Sequence, residues 1–331
     1  MEANAPLEPL PDKGLAHLHL RLAGTGRLLR CPKQSQMGLG AEEHLAYEAA
    51  CFQRAAASGH TPRLHAVLAP RKGLARGALL VDEITGRAAL LPDDLPAIAE
   101  TLAALHRLPL PPLAQRAPLL APERPLAALA AEIQRQAGHL EAAGLDPRAR
   151  RVIDAELQRL AALAAADEQP PARLIAFDGH PGNYVIRADG RAMLVDLEKA
   201  RYGPPPLDLA HATLYTSTTW DAECHAVLDL PTLVAFHRHW LENVPDGEAW
   251  QRWLLPLRRA MWLWSVSWCA KWRALSSRAP TAAGGGEDWS SQLSDAALVA
   301  HVRERVDHYL SPAIVERVIE EAAALEAALA A

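Results

Sequence analysis

Three oxygen-bearing side chains stand at loop–strand junctions within one stretch, Leu174–Glu198, which reads LIAFDGHPGNYVIRADGRAMLVDLE. The apolar run Leu174–Phe177 delivers Asp178 into the loop Gly179-His180-Pro181-Gly182, and Asn183 opens a second apolar run, Tyr184–Ile186. Asp189-Gly190 separates that run from Ala192–Val195, and Asp-Gly between two apolar runs is the strongest short hairpin signal a sequence offers. Asp196 ends the second strand, so a hairpin folds Asp178, Asn183 and Asp196 onto one another. Magnesium prefers oxygen ligands and takes one or two from protein, with substrate phosphates and waters completing its shell. Asn183 and Asp196 meet that demand. Asp178, in a loop and not consumed by the metal, is free to orient or deprotonate an attacking hydroxyl, the division of labour that phosphoryl transfer uses.

The stretch resembles the aminoglycoside phosphotransferase and choline kinase-like family, whose usual run is H-G-D-x-H-P-G-N, then a hairpin and D-[FW]-E. Here the matching residues are Ala176-Phe177-Asp178-Gly179-His180-Pro181-Gly182-Asn183 and Asp196-Leu197-Glu198. The resemblance implies an α+β, bilobal protein-kinase-like fold. A small N-lobe with an antiparallel sheet and one main helix (residues 1–84) precedes a larger, mostly helical C-lobe with the catalytic hairpin (residues 85–331). It implies Asp178 as catalytic base, Asn183 and Asp196 as Mg2+ ligands, and Glu198 assisting the metal or the substrate. It also implies ATP as phosphoryl donor and a small-molecule hydroxyl, on an amino alcohol or aminoglycoside, as acceptor. Two positions depart from the pattern: Ala176 replaces the usual His, and Phe177 the usual Gly.

Upstream elements must hold the nucleotide. After a leader of about a dozen residues, Leu18–Leu22 alternates like a strand, Gly24-Thr25-Gly26 turns, and Leu28–Lys33 returns. The resemblance places a nucleotide-covering turn at Gly14–His17. It makes Lys33 the contact to the α- and β-phosphates, and Glu48 its helix partner. Glu48 belongs to a helix over 41–57 with Leu45, Ala49 and Phe52 on one face; Glu42 and Glu43 compete for its role. Strands over 62–69 and 77–84 follow, and the resemblance implies that backbone groups of Asp82, Glu83 and Ile84 hold the adenine edge.

The C-lobe reads as helices over 95–108, 126–140, 151–165 and 312–331. His106 is expected to be structural. Asp208 either caps a helix or braces the catalytic loop. Ala282–Gly286 reads as a flexible loop. Leu257, Met261, Trp264, Trp268 and Trp272 form one helical stripe, either core or an aromatic wall for a cationic substrate. Acids such as Asp221, Glu223, Glu242, Asp246 and Glu248 keep an acidic, aminoglycoside-type pocket open.

A net charge of −5 argues against a nucleic-acid partner, which needs a basic surface. The four cysteines form no CxxC pair, which fits a reducing compartment and offers no zinc pattern. No signal peptide and no membrane-length apolar run is read, so a cytoplasmic location is expected. A protein kinase fits poorly, because no A-P-E segment follows Asp196. The alternative from another class is a pseudokinase, a nucleotide-binding or regulatory module that has lost catalysis.

Overall fold

The computed structural model describes residues 5–11, 16–276 and 295–330. The expected covering turn at Gly14 and Leu15 and the loop Ala282–Gly286 lie outside these. The first lobe is built on an antiparallel sheet of β1 (Leu7–Pro9), β2 (His17–Leu22), β3 (Arg27–Pro32), β4 (Leu64–Leu68) and β5 (Ala78–Asp82), in the order β1-β2-β3-β5-β4. The opening residues are therefore not a loose leader throughout. Leu7–Pro9 pairs with Leu22–Leu20 and covers the edge that β2 would otherwise leave open. The β2–β3 turn needs glycine: Gly24 and Gly26 both have positive φ, where other side chains are strained.

Helix α1 (Ala41–Ala55) lies between β3 and β4 in sequence and buries Leu45, Ala49 and Phe52, the face its periodicity foretold. The chain leaves the sheet after Asp82, and β6 (Arg87–Ala88) already pairs with the Asp189-Gly190 hairpin of the second lobe. That lobe begins with α2 (Leu95–His106), α3 (Pro125–Ala137) and α4 (Pro147–Ala165). α4 starts where Asp146 accepts the Arg148 amide and Pro147 pre-sets the first turn. Then come β7 (Arg173–Ile175), the hairpin of β8 (Tyr184–Ile186) and β9 (Ala192–Leu194), and β10 (Arg201–Gly203), which pairs with β7. The remaining helices are α5 (Pro206–Thr213), α6 (Tyr215–Thr218), α7 (Leu230–Glu242), α8 (Gly247–Gln251), α9 (Leu254–Leu275), α10 (Ala296–Tyr309) and α11 (Pro312–Ala330).

Two apolar cores share the work. One joins the sheet, α1, α2, the hairpin and α7; the other is made by α3, α4, α9, α10 and α11. The run Leu174–Phe177 lies between them. Leu174 and Ala176 enter the first core, Ile175 and Phe177 the second, because successive residues of an extended chain point to opposite sides. Burial on both sides explains why this run is uniformly apolar rather than alternating. It also clamps the segment that delivers Asp178.

Candidate active site

Asp178 follows a residue in an unusual backbone state. Phe177 has φ 61°, in the left-handed region where the family pattern has glycine. Asp208, fully buried, holds this turn. Its Oδ2 accepts the Ala176 amide and its Oδ1 the Phe177 amide, both at 2.7 Å. His106 supports Asp208 in turn: its Nδ1 accepts the indole N–H of Trp240 (3.0 Å), so in the neutral ring Nε2 carries the proton and donates it to Asp208 Oδ2 (3.0 Å). Asp208 is thus a brace, and His106 is structural. Where the family pattern has His-Gly, this turn rests on Asp208 and on His211, whose Nδ1 lies 3.3 Å from Phe177 O.

The hairpin assembles the three oxygen-bearing residues. Its turn has Gly190 at φ 83° within a loop closed by Arg187, whose amide donates to Arg191 O. Asn183 Nδ2 donates to Asp178 O (2.7 Å), and the Val195 amide donates to Asn183 O (2.9 Å), which seats Asp196 beside Asn183. Asp196 Oδ1 accepts from Arg30 Nη2 at 2.6 Å. With the Asn183 amide nitrogen and that carboxylate oxygen engaged, Asn183 Oδ1 and Asp196 Oδ2 have no hydrogen bond among the described residues, and both residues line the cleft. A pair of hard oxygen donors, one of them anionic, fits magnesium.

Asp178 is not solitary. Lys199 Nζ lies 2.6 Å from its Oδ2 and His211 Nδ1 3.7 Å from its Oδ1. Burial alone would raise its pKa, but Lys199 and His211 outweigh that and hold it below the ordinary value. The same carboxylate keeps Lys199 protonated against the pull of burial. Burial lowers His211 to about 4, so it is neutral near pH 7. Glu198 also lines the cleft and lies 3.6 Å from His17 Nδ1; burial first, then the Asp196 charge, push it up to about 7.

The pairing expected between Lys33 and Glu48 is corrected. Glu48 faces His17 Nε2 at 2.7 Å and Arg30 Nη2 at 3.5 Å. Arg30, rather than Lys33, lines the cleft. The reason is strand parity. Arg30 and Pro32 share the buried face of β3, while Lys33, an odd step from Arg30, falls just past the strand and is only half-buried. Arg30 therefore bridges the helix glutamate and the Asp196 carboxylate. Burial opposes the charge on Glu48, yet His17 and Arg30 lower it to about 2.

Asp82, Glu83 and Ile84 are among the residues that line the cleft. The Asp82 amide donates to Arg63 O and the Glu83 amide to Gly26 O. Ile84 is then the amide of the three not engaged among the described residues. Their carboxylates are engaged by other side chains: Asp82 faces His65 (2.6 Å) and Glu83 faces Arg21 (2.5 Å).

The cleft has a volume of about 400 Å³ and runs past Asp178 to a wall of Trp220, Trp264, Trp268 and Tyr309. The tryptophan stripe divides. Leu257, Met261 and Trp272 are buried in the helical core, whereas Trp264 and Trp268 reach the cleft. Three residues of this site were not read from the sequence. Arg30 was legible as a charge on the inward face of β3, and Lys199 as the residue after Asp-Leu-Glu. His211 sits three residues beyond Asp208 on α5.

Comparison with known proteins agrees with this geometry. The family model described as "Phosphotransferase enzyme family" matches residues 22–242, about two thirds of the chain. No curated protein matches the chain. Among solved structures, a choline/ethanolamine kinase family protein from Mesorhizobium loti is 18% identical, with 98% of this chain and 94% of that chain covered and a TM-score of 0.61. An ethanolamine kinase from Plasmodium vivax is 14% identical, with 96% and 86% covered and a TM-score of 0.63. The GDP complex of aminoglycoside 2'-phosphotransferase-IIIa is 14% identical, with 93% and 94% covered and a TM-score of 0.60. These likenesses establish the bilobal kinase-like fold.

Proposed function

Because the chain belongs to the phosphotransferase enzyme family, we propose that it transfers the γ-phosphoryl group of Mg-ATP to the hydroxyl of a small molecule. The observation that carries the reading is the hairpin that brings Asp178, Asn183 and Asp196 together at one cleft, with Arg30 joined to Asp196. In this reading Asn183 Oδ1 and Asp196 Oδ2 hold magnesium, which supplies charge neutralisation on the β- and γ-phosphates. Arg30 takes the place expected of Lys33 beside those phosphates, kept in position by Glu48. The Ile84 amide meets the adenine edge. Asp178 accepts a hydrogen bond from the acceptor hydroxyl and aims its oxygen at the γ-phosphorus. Its lowered pKa makes it chiefly an orienting group that takes the proton late in the transfer.

The test is ADP release with Mg-ATP across a panel of alcohols, with Asp178→Asn and Asp196→Ala as controls. Asp178→Asn should lower turnover by roughly 10²–10⁴-fold while ATP still binds. Unchanged turnover would refute the assignment. Magnesium-dependent ATP binding with no acceptor-dependent ADP release from any alcohol would mark a binding module instead.

A further inference from the structure

The acceptor end of the cleft has a chemistry of its own. Trp220 and Trp268 meet edge to face, with centroids 5.9 Å apart, and Trp220 lies at 30° to Tyr309 at 6.2 Å. These rings offer flat apolar faces. Beside them, on α6 just before Trp220, Thr216 and Ser217 are 5% and 4% exposed and line the cleft. Neither hydroxyl has a hydrogen-bond partner among the described residues. Buried polar groups without partners are costly, and two of them side by side in a cavity point to a ligand that supplies the missing bonds.

Charge narrows the class. Besides Asp178, which Lys199 already pairs, this end of the cleft carries one carboxylate among the described residues, Asp221, and its Oδ1 accepts the Glu223 amide. A polycation would leave most of its charges unpaired here. At the Trp264 face a single ammonium is also poorly served. The Lys199 ammonium already lies over the Trp264 ring, 5.7 Å from its centroid, and repels a second cation at that face.

We propose that the acceptor is an uncharged, ring-bearing alcohol: its flat face packs against Trp268 and Trp220, further polar groups bond Thr216 and Ser217, and one hydroxyl reaches Asp178. The inference rests on the phosphotransferase reading for the reaction, but the recognition chemistry stands apart from it. In the transfer, the acceptor oxygen bonds to the γ-phosphorus and the bond from that phosphorus to the β,γ-bridging oxygen breaks. ADP leaves with the electron pair, and the hydroxyl proton passes through Asp178 to solvent.

The full-length chain should be titrated calorimetrically, with and without a non-hydrolysable ATP analogue, against three sets of probes. These are neutral ring alcohols (hexoses, a cyclitol and a nucleoside), choline with ethanolamine, and kanamycin. The same compounds are then assayed for ADP release. A neutral ring alcohol should bind with an affinity that changes less than about twofold between 50 and 300 mM salt, since no charge pair is formed. Ser217→Ala should weaken its KM about fivefold with little change in kcat, the worth of one hydrogen bond of about 1 kcal/mol. Trp268→Phe should weaken binding less than Trp268→Ala. Salt-sensitive binding of kanamycin or choline with the ring alcohols silent would overturn the proposal, as would no binding by any ring alcohol. Binding of a ring alcohol without ADP release would instead sink the phosphotransferase reading and leave the acceptor class standing.

Discussion

Phe177 offers a contest of known terms. It holds φ 61°, which for a side chain other than glycine costs about 1–2 kcal/mol. Replacing it by glycine, the residue of the family pattern, removes that strain. The same substitution empties a site that is 1% exposed, where the ring meets Trp264 edge on at 5.3 Å and lies under the Arg201 guanidinium at 3.6 Å. Truncating a buried Phe costs about 3–5 kcal/mol, and glycine's extra unfolded-state freedom adds about 0.5–1 kcal/mol. Phe177→Gly is therefore expected to destabilise by about 1.5–5 kcal/mol, packing outweighing strain. Phe177→Ala keeps the strain and loses the same ring, so it should be less stable than the glycine variant by up to about 1.5 kcal/mol. The assay is equilibrium urea unfolding of the three proteins, compared by midpoint at constant slope. A glycine variant at least as stable as the parent would refute the packing argument. An alanine variant more stable than the glycine one would refute the strain.

Arg30→Met should cost about 3–5 kcal/mol, because it strands Glu48 and Asp196 without their shared cation. Arg30→Lys should recover part of the stability and ATP affinity; full tolerance of methionine in both readouts would remove Arg30 from the site. Stability should also fall as pH drops from 7 to 4.5. Burial lowers His44, His211 and His237 to about 4 and His19 to about 3, so the unfolded chain binds more protons between those values and the ordinary 6.5. Glu198, raised to about 7, works in the opposite sense, its contribution being lost as pH rises above 4.5. Four histidines against one carboxyl leave a net loss of at least about 2 kcal/mol on acidification, and a flat urea midpoint over that range would contradict it.

What the sequence determined lies where chemistry is contiguous. Asp178, Asn183 and Asp196 were legible because one hairpin, signalled by Asp189-Gly190, suffices to bring them together. Helices such as α1 and α2 were legible because a buried face repeats every three to four residues. Distant partners were decided only by the tertiary structure. Arg30 lies within β3 and Lys33 just past its end; which of them faces Glu48 depends on strand register, and one step of register reverses every side chain. Lys199 meets Asp178 across a β-hairpin, and Asp208 meets the Ala176 and Phe177 amides from another helix. Periodicity put Trp264, Trp268 and Trp272 on one stripe, but a stripe states only which residues share a face. Whether that face meets a core or a cavity is set by what packs opposite, and here α9 is long enough to do both.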